Sequence, residues 1–216
     1  MIDEAVLESR IILIVVPTPS DSSGRFSLQH VAQVASQIGK ALGKSDHYQV
    51  VVISSTVLPG STQFGILPLL ESQSGKRCGK DFGLCYNPEF VALGSVIRDF
   101  LNPDFALIGE SDDRAGSEVE SFLRAVYDNR PHVARMGFVN AELTKIALNT
   151  YVTTKISFAN MLRELCERLP GADVDVVTGA LGLDLRIGDG TLREVWDMEG
   201  LVSLETIWHL GIWQEN

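Results

Sequence analysis

Several residues of types that do chemistry fall where a fold could aim them. Glu89 lies in Asn87-Pro88-Glu89-Phe90, just past the apolar segment 82–86, and Thr56 lies in Ser55-Thr56-Val57, just past the apolar segment 49–54. Carboxylate and hydroxyl groups placed at strand ends sit where open α/β sheets bind ligands, and such groups serve proton transfer. Lys145 and Asn149 are four residues apart, so on a helix they share one face. Arg186, in Asp184-Leu185-Arg186-Ile187-Gly188, offers the forked donor that suits pyrophosphate or sugar hydroxyls. Each also has a plainer reading. Glu89 and Arg186 could be surface charges, and Thr56 a turn or cap residue. The Lys145 and Asn149 pair could lie on a solvated helix face.

The surrounding pattern supplies the elements. Arg10–Val16 is a continuous apolar run ended by Pro17 and Pro19, and it predicts a strand buried on both faces. Gln49–Ser54, Phe82–Tyr86 and Phe105–Gly109 predict further strands, and His132–Arg135 a short fifth. Between them the spacing of Leu28, Val31, Val34, Ala35, Ile38 and Leu42 predicts a helix stopped by Gly43. Ser61–Leu70 predicts a short helix and Asp112–Tyr127 an amphipathic one with an acidic first turn. Buried strands alternating with helices predict a parallel, doubly wound α/β sheet. From Ala141 to Leu169 a long helix follows. Its expected apolar stripe runs through Leu143, Ile146, Ala147, Thr150, Tyr151, Ile156, Phe158, Ala159, Leu162 and Leu165. Pro170-Gly171 ends it, and Asp173–Leu181 predicts one more short helix.

Composition narrows the function classes. The chain has 216 residues, net charge −10 and 45% hydrophobic residues, enough for one globular core or somewhat more. The acidic balance argues against nucleic acid. No apolar stretch reaches the ~18 residues a membrane helix needs, and the start shows no secretory signal, so a cytoplasmic protein without a membrane partner is expected. Cys78, Cys85 and Cys166 are odd in number and lack ligand spacing, so neither a disulfide framework nor a metal site is expected, and Cys166 is expected in the core. The tail is unusual. Trp196, Trp208 and Trp213 are the only tryptophans, and residues 194–216 hold five acidic residues and no Lys or Arg.

Five strings in order resemble the UDP-glucose/GDP-mannose dehydrogenase family. They are VVPTPSD, SSTVLPGST (54–62), YNPEFVALGSVIRDFLNPDFALIGE (86–110), NAELTKIALNTYVTTKISFANML (140–162) and GADVDVVTGALGLDLRIG (171–188). The nearer subgroup is UDP-glucose 6-dehydrogenase. The resemblance implies a partial Rossmann-like parallel sheet followed by a long central helix and short helices. It implies NAD as cofactor, a UDP-sugar as substrate and a role in polysaccharide biosynthesis. It also implies twofold oxidation at C6 through a cysteine thioester, and a homodimer built on the long helix. By the same resemblance Glu89 orients or deprotonates the hydrolytic water, which Thr56 positions. Lys145 and Asn149 contact the reacting carbon, with Lys145 stabilising negative charge. Phe90, Val91 and Arg186 contact substrate, Arg186 across a dimer interface. Val16, Pro17, Thr18, Pro19, Ser55 and Thr56 line the cofactor site. At Leu93 many relatives carry an acidic residue, so one cofactor contact is lost here.

Two family features are not found. No G-x-G-x-x-G turn occurs, so NAD binding is expected to be impaired. After Ile187-Gly188 the family runs into a glycine-rich loop bearing the nucleophilic cysteine, and no cysteine follows Cys166 here. Back-translating from Glu194 and reading from the third base of that codon permits Ser-Met-Gly-Tyr-Gly-Gly-Pro-Cys-Phe-Pro-Arg-Asp-Asn-Leu-Ala, the expected loop. The sequence is therefore read as the later part of an NAD-binding domain (1–136), a central dimerisation and substrate segment (137–192) and a frameshifted tail (193–216). It is expected to be truncated at both ends and inactive alone. The alternatives are a non-catalytic dimerising or weak ligand-binding fragment, and one piece of a split enzyme. Without the family's first strands, Arg10–Val16 is expected to be left as an exposed apolar edge, a liability for aggregation.

Overall fold

The computed structural model describes residues 2–19, 26–91, 94–184 and 187. The predicted strands form one sheet of β1 (Ile11–Ile14), β2 (Val50–Ile53), β3 (Gly83–Tyr86), β4 (Phe105–Glu110) and β5 (His132–Met136), in sequential order. β1–β2, β2–β3 and β4–β5 are parallel, with Ile14 opposite Ile53 and Ile53 opposite Tyr86. The sheet is thus mostly parallel, as expected, except that the β3–β4 pair is antiparallel, through Cys85 opposite Glu110 and Tyr86 opposite Gly109. A parallel return needs a crossover that packs on the sheet. Here Pro88 and Pro103 flank a six-residue helix, α4 (Val96–Leu101), that buries none of its residues. The chain therefore turns back at the end of β3 and wraps Glu89 in the turn.

Strand alternation feeds two cores. Val51 and Ile53 face one side with Leu84 and Tyr86, against Val31, Ala35, Ile38 and Leu42 of α2 (Gln29–Leu42) and Leu70 of α3 (Leu67–Ser74). Val50, Val52, Cys85, Ala106 and Ile108 face the other side, against Ala115, Val119 and Leu123 of α5 (Asp113–Val126). α5 starts one residue later than expected, Asp112 standing before it as a side-chain cap whose carboxylate accepts from the Ala115 N–H at 3.1 Å. Burial of one such side chain contributes about 1.5–3 kcal/mol, and continuous apolar strands such as Val50–Ile53 collect it on both faces.

The expectation of two-sided burial fails at β1. Ile14 is buried, but Leu13 is 46% and Val15 68% exposed on the strand that edges the sheet, where α5 meets Arg10 through Glu118 but leaves these two side chains uncovered. Two short helices were not foreseen. α4 is one, and α1 (Ile2–Glu8) is the other, with Val6 its buried residue. Gln49, fully buried, donates from its amide to the carbonyls of Val6 and Ser9 and so closes the end of α1. The predicted Ser61–Leu70 helix begins as a π-helical segment, Ser61–Ile66, and continues into α3. Gly43 does end α2, but with right-handed φ −58°. Its requirement is space, since a Cβ there would meet Ser74 O at 2.9 Å.

The chain divides into two compact units, residues 1–146 and 147–216. α6 (Phe138–Arg168) starts in the first, where Phe138, Ala141, Glu142, Lys145 and Ile146 are its buried residues. The expected stripe is corrected here: Leu143, Tyr151, Phe158 and Leu165 are all exposed, while Ile146 and Ala159 are buried. In the second unit, Gly171 takes φ +84° after Pro170, and α7 (Val174–Gly182) follows on an Asp173 carboxylate that accepts from Asp175 N at 2.8 Å. Cys78 and Cys166 are half-buried and Cys85 is buried, all three as free thiols, so Cys166 is not the core residue expected. Arg186, Leu93 and the tail from 193 lie outside the described residues. Among the described residues no helix is long and apolar enough to cross a membrane.

Candidate active site

Thr56 and Glu89 leave neighbouring parallel strands at the same edge of the sheet. Ile53 is paired with Tyr86, and each of the two candidate residues follows its strand's end by three positions. The first loop is stitched to the loop after β1. Ser55, buried, accepts from the Val16 N–H at 2.9 Å and donates to the Val16 carbonyl at 2.7 Å. The Thr18 hydroxyl donates to the Thr56 carbonyl at 2.9 Å. The backbone of Thr56 is thereby fixed while its side chain stays partly accessible.

The second loop is held from inside. The Asn87 N–H donates to the Ile53 carbonyl at 2.9 Å, and its side-chain amide donates to the Leu107 carbonyl at 2.9 Å. Phe90 stacks on Phe105 with ring centroids 4.8 Å apart. Glu89 itself is exposed, at a cleft it shares with Asn87, Phe90, Val91, Asp99 and Tyr127. Burial pushes the Tyr127 hydroxyl pKa up, and the Glu89 carboxylate adds to that.

Lys145 joins this loop to α6. It is only 8% exposed, which overturns the solvated-face reading. Its Nζ donates to the Glu89 carbonyl at 2.6 Å and lies 4.4 Å from the centroid of the Phe90 ring. Burial pulls its pKa down to about 8, against the opposing pull of the Glu89 charge. A buried amine with one carbonyl partner and an aromatic face is suited to meeting negative charge on a bound molecule. Asn149 lies one turn further along α6, in the second unit, half-buried, with its carbonyl accepting from the Thr153 hydroxyl at 2.9 Å.

Glu142 was missed by the sequence reading. It is fully buried, and its carboxylate accepts from the Gly60 N–H at 2.5 Å and the Thr62 N–H at 2.8 Å. The available signal was the face pattern 138, 141, 142, 145, 146, which sets two charged residues inside the buried stripe.

Val16–Pro19, Ser55 and Thr56 offer backbone and hydroxyl groups at the sheet edge. No basic residue occurs in 11–19 or 54–60 to meet a pyrophosphate. These residues fit one end of a dinucleotide.

The family description "UDP-glucose/GDP-mannose dehydrogenase family, NAD binding domain" matches residues 1–129, and that of the same family's central domain matches residues 139–201. The chain belongs to the UDP-glucose/GDP-mannose dehydrogenase family. The second match runs past residue 193, where the frame change is expected. The chain is 34% identical over 191 residues to the UDP-glucose 6-dehydrogenase AglM of Haloferax volcanii, covering 88% of this chain and 44% of that protein. It is 35% identical to the GDP-mannose 6-dehydrogenase of Azotobacter vinelandii, covering 77% of this chain and 37% of that one. Among solved structures, a UDP-glucose dehydrogenase from Pyrobaculum islandicum superposes with a TM-score of 0.81 at 34% identity, over 89% of this chain and 43% of its own. A ternary complex of GDP-mannose dehydrogenase from Pseudomonas aeruginosa gives 0.80 at 33%, over 85% and 41%. The chain therefore spans less than half the length of these relatives.

Proposed function

We propose that this chain is the site-bearing middle of an NAD-dependent nucleotide-sugar 6-dehydrogenase of the UDP-glucose type. The observation that carries the reading is the buried Lys145 amine seated on the Glu89 loop, beside the strand that presents Thr56. In this reading the C6 oxygen of the sugar approaches the Lys145 ammonium, which stabilises charge developing there. Glu89, exposed at the cleft, takes the proton of a water that Thr56 positions. Asn149 and Arg186 contact the substrate, with Phe90 and Val91 forming its wall. NAD is the family's hydride acceptor, with Val16–Pro19, Ser55 and Thr56 lining its place.

The 216 residues by themselves do not turn over, since the thioester nucleophile is not among them. Residues from 193 onward are the cysteine loop in the wrong frame, and residues 1–136 and 137–192 are the two family segments. The long helix forms a homodimer. Tyr151, Phe158, Met161 and Leu165 are exposed along one face of it, and such apolar stripes mark interaction surfaces.

Saturation-transfer NMR with UDP-glucose tests the reading. Transfer from the protein is expected to be strongest at the two C6 protons of glucose and to fall sharply in Lys145→Ala. Absence of transfer, or transfer confined to uracil and ribose, would contradict it. NADH formation from NAD and UDP-glucose by the purified chain would contradict the predicted inactivity.

A further inference from the structure

Thr56 and Lys145 come from separate parts of the chain, and among the described residues no hydrogen bond links them directly. What fixes their spacing is the first two turns of α6. Glu142 and Lys145 are three residues apart on its buried face. Glu142 reaches the loop after β2 and Lys145 reaches the loop after β3.

The helical segment from Ser61 into α3 needs an acceptor at its start, because its first N–H groups have no partner within the helix. The residue at the capping position is Gly60, at φ +91°, which has no side chain to cap with. Glu142, 82 residues away in sequence, takes that place. A carboxylate is favoured there by the positive end of the helix. It is fully buried, so it does not meet a ligand from solvent. The loop 54–59 is thus anchored at both ends, by Ser55 on Val16 and by Glu142 at Gly60 and Thr62, with Thr56 carried between.

We propose that Glu142 is a positioning residue that holds the Thr56 loop at a fixed distance from the Lys145 amine. It acts through the backbone of Gly60 and Thr62 and touches no reacting atom. The proposal rests on the dehydrogenase reading of Thr56 and Lys145. Its test uses neither turnover nor nucleotide sugar, so the two can fail separately.

The test is NMR on the full chain with Glu142→Gln. The amide keeps the length and one acceptor but turns a donor toward one of the two N–H groups. Hydrogen exchange at Gly60 and Thr62 should speed about tenfold or more, the scale set by losing a charged acceptor. The Thr56 methyl resonance and the titration midpoint of the Lys145 ε-carbon should both move, while amides of β4 and β5 keep their protection. Glu142→Asp, which keeps the charge but withdraws it by one methylene, should shift the same signals. Faster exchange at Gly60 and Thr62 with Thr56 and Lys145 unmoved would reduce Glu142 to a helix cap and overturn the proposal. Unchanged exchange, or protection lost evenly across the sheet, would overturn it as well. Failure of both variants to fold would do the same, assigning Glu142 to the fold itself.

Discussion

The Lys145 amine makes a prediction about stability that needs no substrate. In the folded chain its pKa is drawn down to about 8 by burial, from 10.5 when free. Protonation is therefore less favourable in the folded state than in the unfolded one. Below pH 8 both states carry the proton, and the folded state bears the full cost of a buried charge. Between about 8 and 10.5 the folded state has released its proton while the unfolded state still holds it, so stability rises with pH. At about 1.4 kcal/mol per pH unit, the interval amounts to about 3 kcal/mol. The perturbation is Lys145→Met, which fills similar space and cannot titrate. Urea unfolding of both proteins at pH steps from 7 to 11 gives the difference in stability, in which the other titrating groups cancel. The wild type should gain about 3 kcal/mol on the variant through this window and show a flat difference below it. A difference independent of pH from 7.5 to 10.5 would refute the buried-amine argument and with it the electrostatic role of Lys145.

Two further outcomes follow from the packing. Gly116→Ala would place a Cβ 1.6 Å from Glu110 Oε2 and 2.8 Å from Arg135 Nη2, breaking the Arg135–Glu110 pair at 2.7 Å, whose side chains are 23% and 20% exposed. The expected loss is about 2–4 kcal/mol, read as a lowered denaturation midpoint, and an unchanged midpoint would show that the pair bends aside at no cost. Leu13→Lys, on the exposed face of the edge strand, should lower concentration-dependent aggregation in light scattering without lowering Tm; equal aggregation would move the liability elsewhere.

The parts of the fold that were legible are those in which local pattern and final environment agree. Val50–Ile53 is apolar throughout because it has a helix layer on each side, and α2 shows its buried Val31, Ala35, Ile38 and Leu42 at helical spacing. The run 10–16 is legible as a strand but does not say which of its faces are covered; Leu13 and Val15 are exposed at the sheet edge, in line with the edge expected there and against two-sided burial. The short helices α1 and α4 bury one residue and none, so no periodic signal could announce them. The antiparallel β3–β4 pair depends on what the turn 87–104 does in space.

The site divides the same way. Thr56 and Glu89 were named because they follow strands, and the structure does set both just past the ends of β2 and β3, a position that reads directly from the pattern. Lys145 was placed by its neighbours in sequence, while its burial was hidden by its own charge. Glu142 was hidden for the same reason: an acidic residue on a helix reads as solvated until its two backbone donors, some 80 residues earlier, are brought against it. The exposure of Leu143, Tyr151 and Leu165 completes the exchange, with charged residues on the inner face and apolar ones outside, where a second copy of the helix is proposed to lie.

The central claim is that this chain keeps the residues around the reacting carbon while its nucleophile-bearing loop is encoded but read in the wrong frame. The nucleotide sequence of codons 194–208 tests it directly. Leu201 should be encoded CTT and Val202 GTT, so that the shifted frame spells Cys-Phe within Gly-Tyr-Gly-Gly-Pro-Cys-Phe-Pro. Any other codon at Leu201 or Val202 would leave the shifted frame without that Cys-Phe pair and contradict the account.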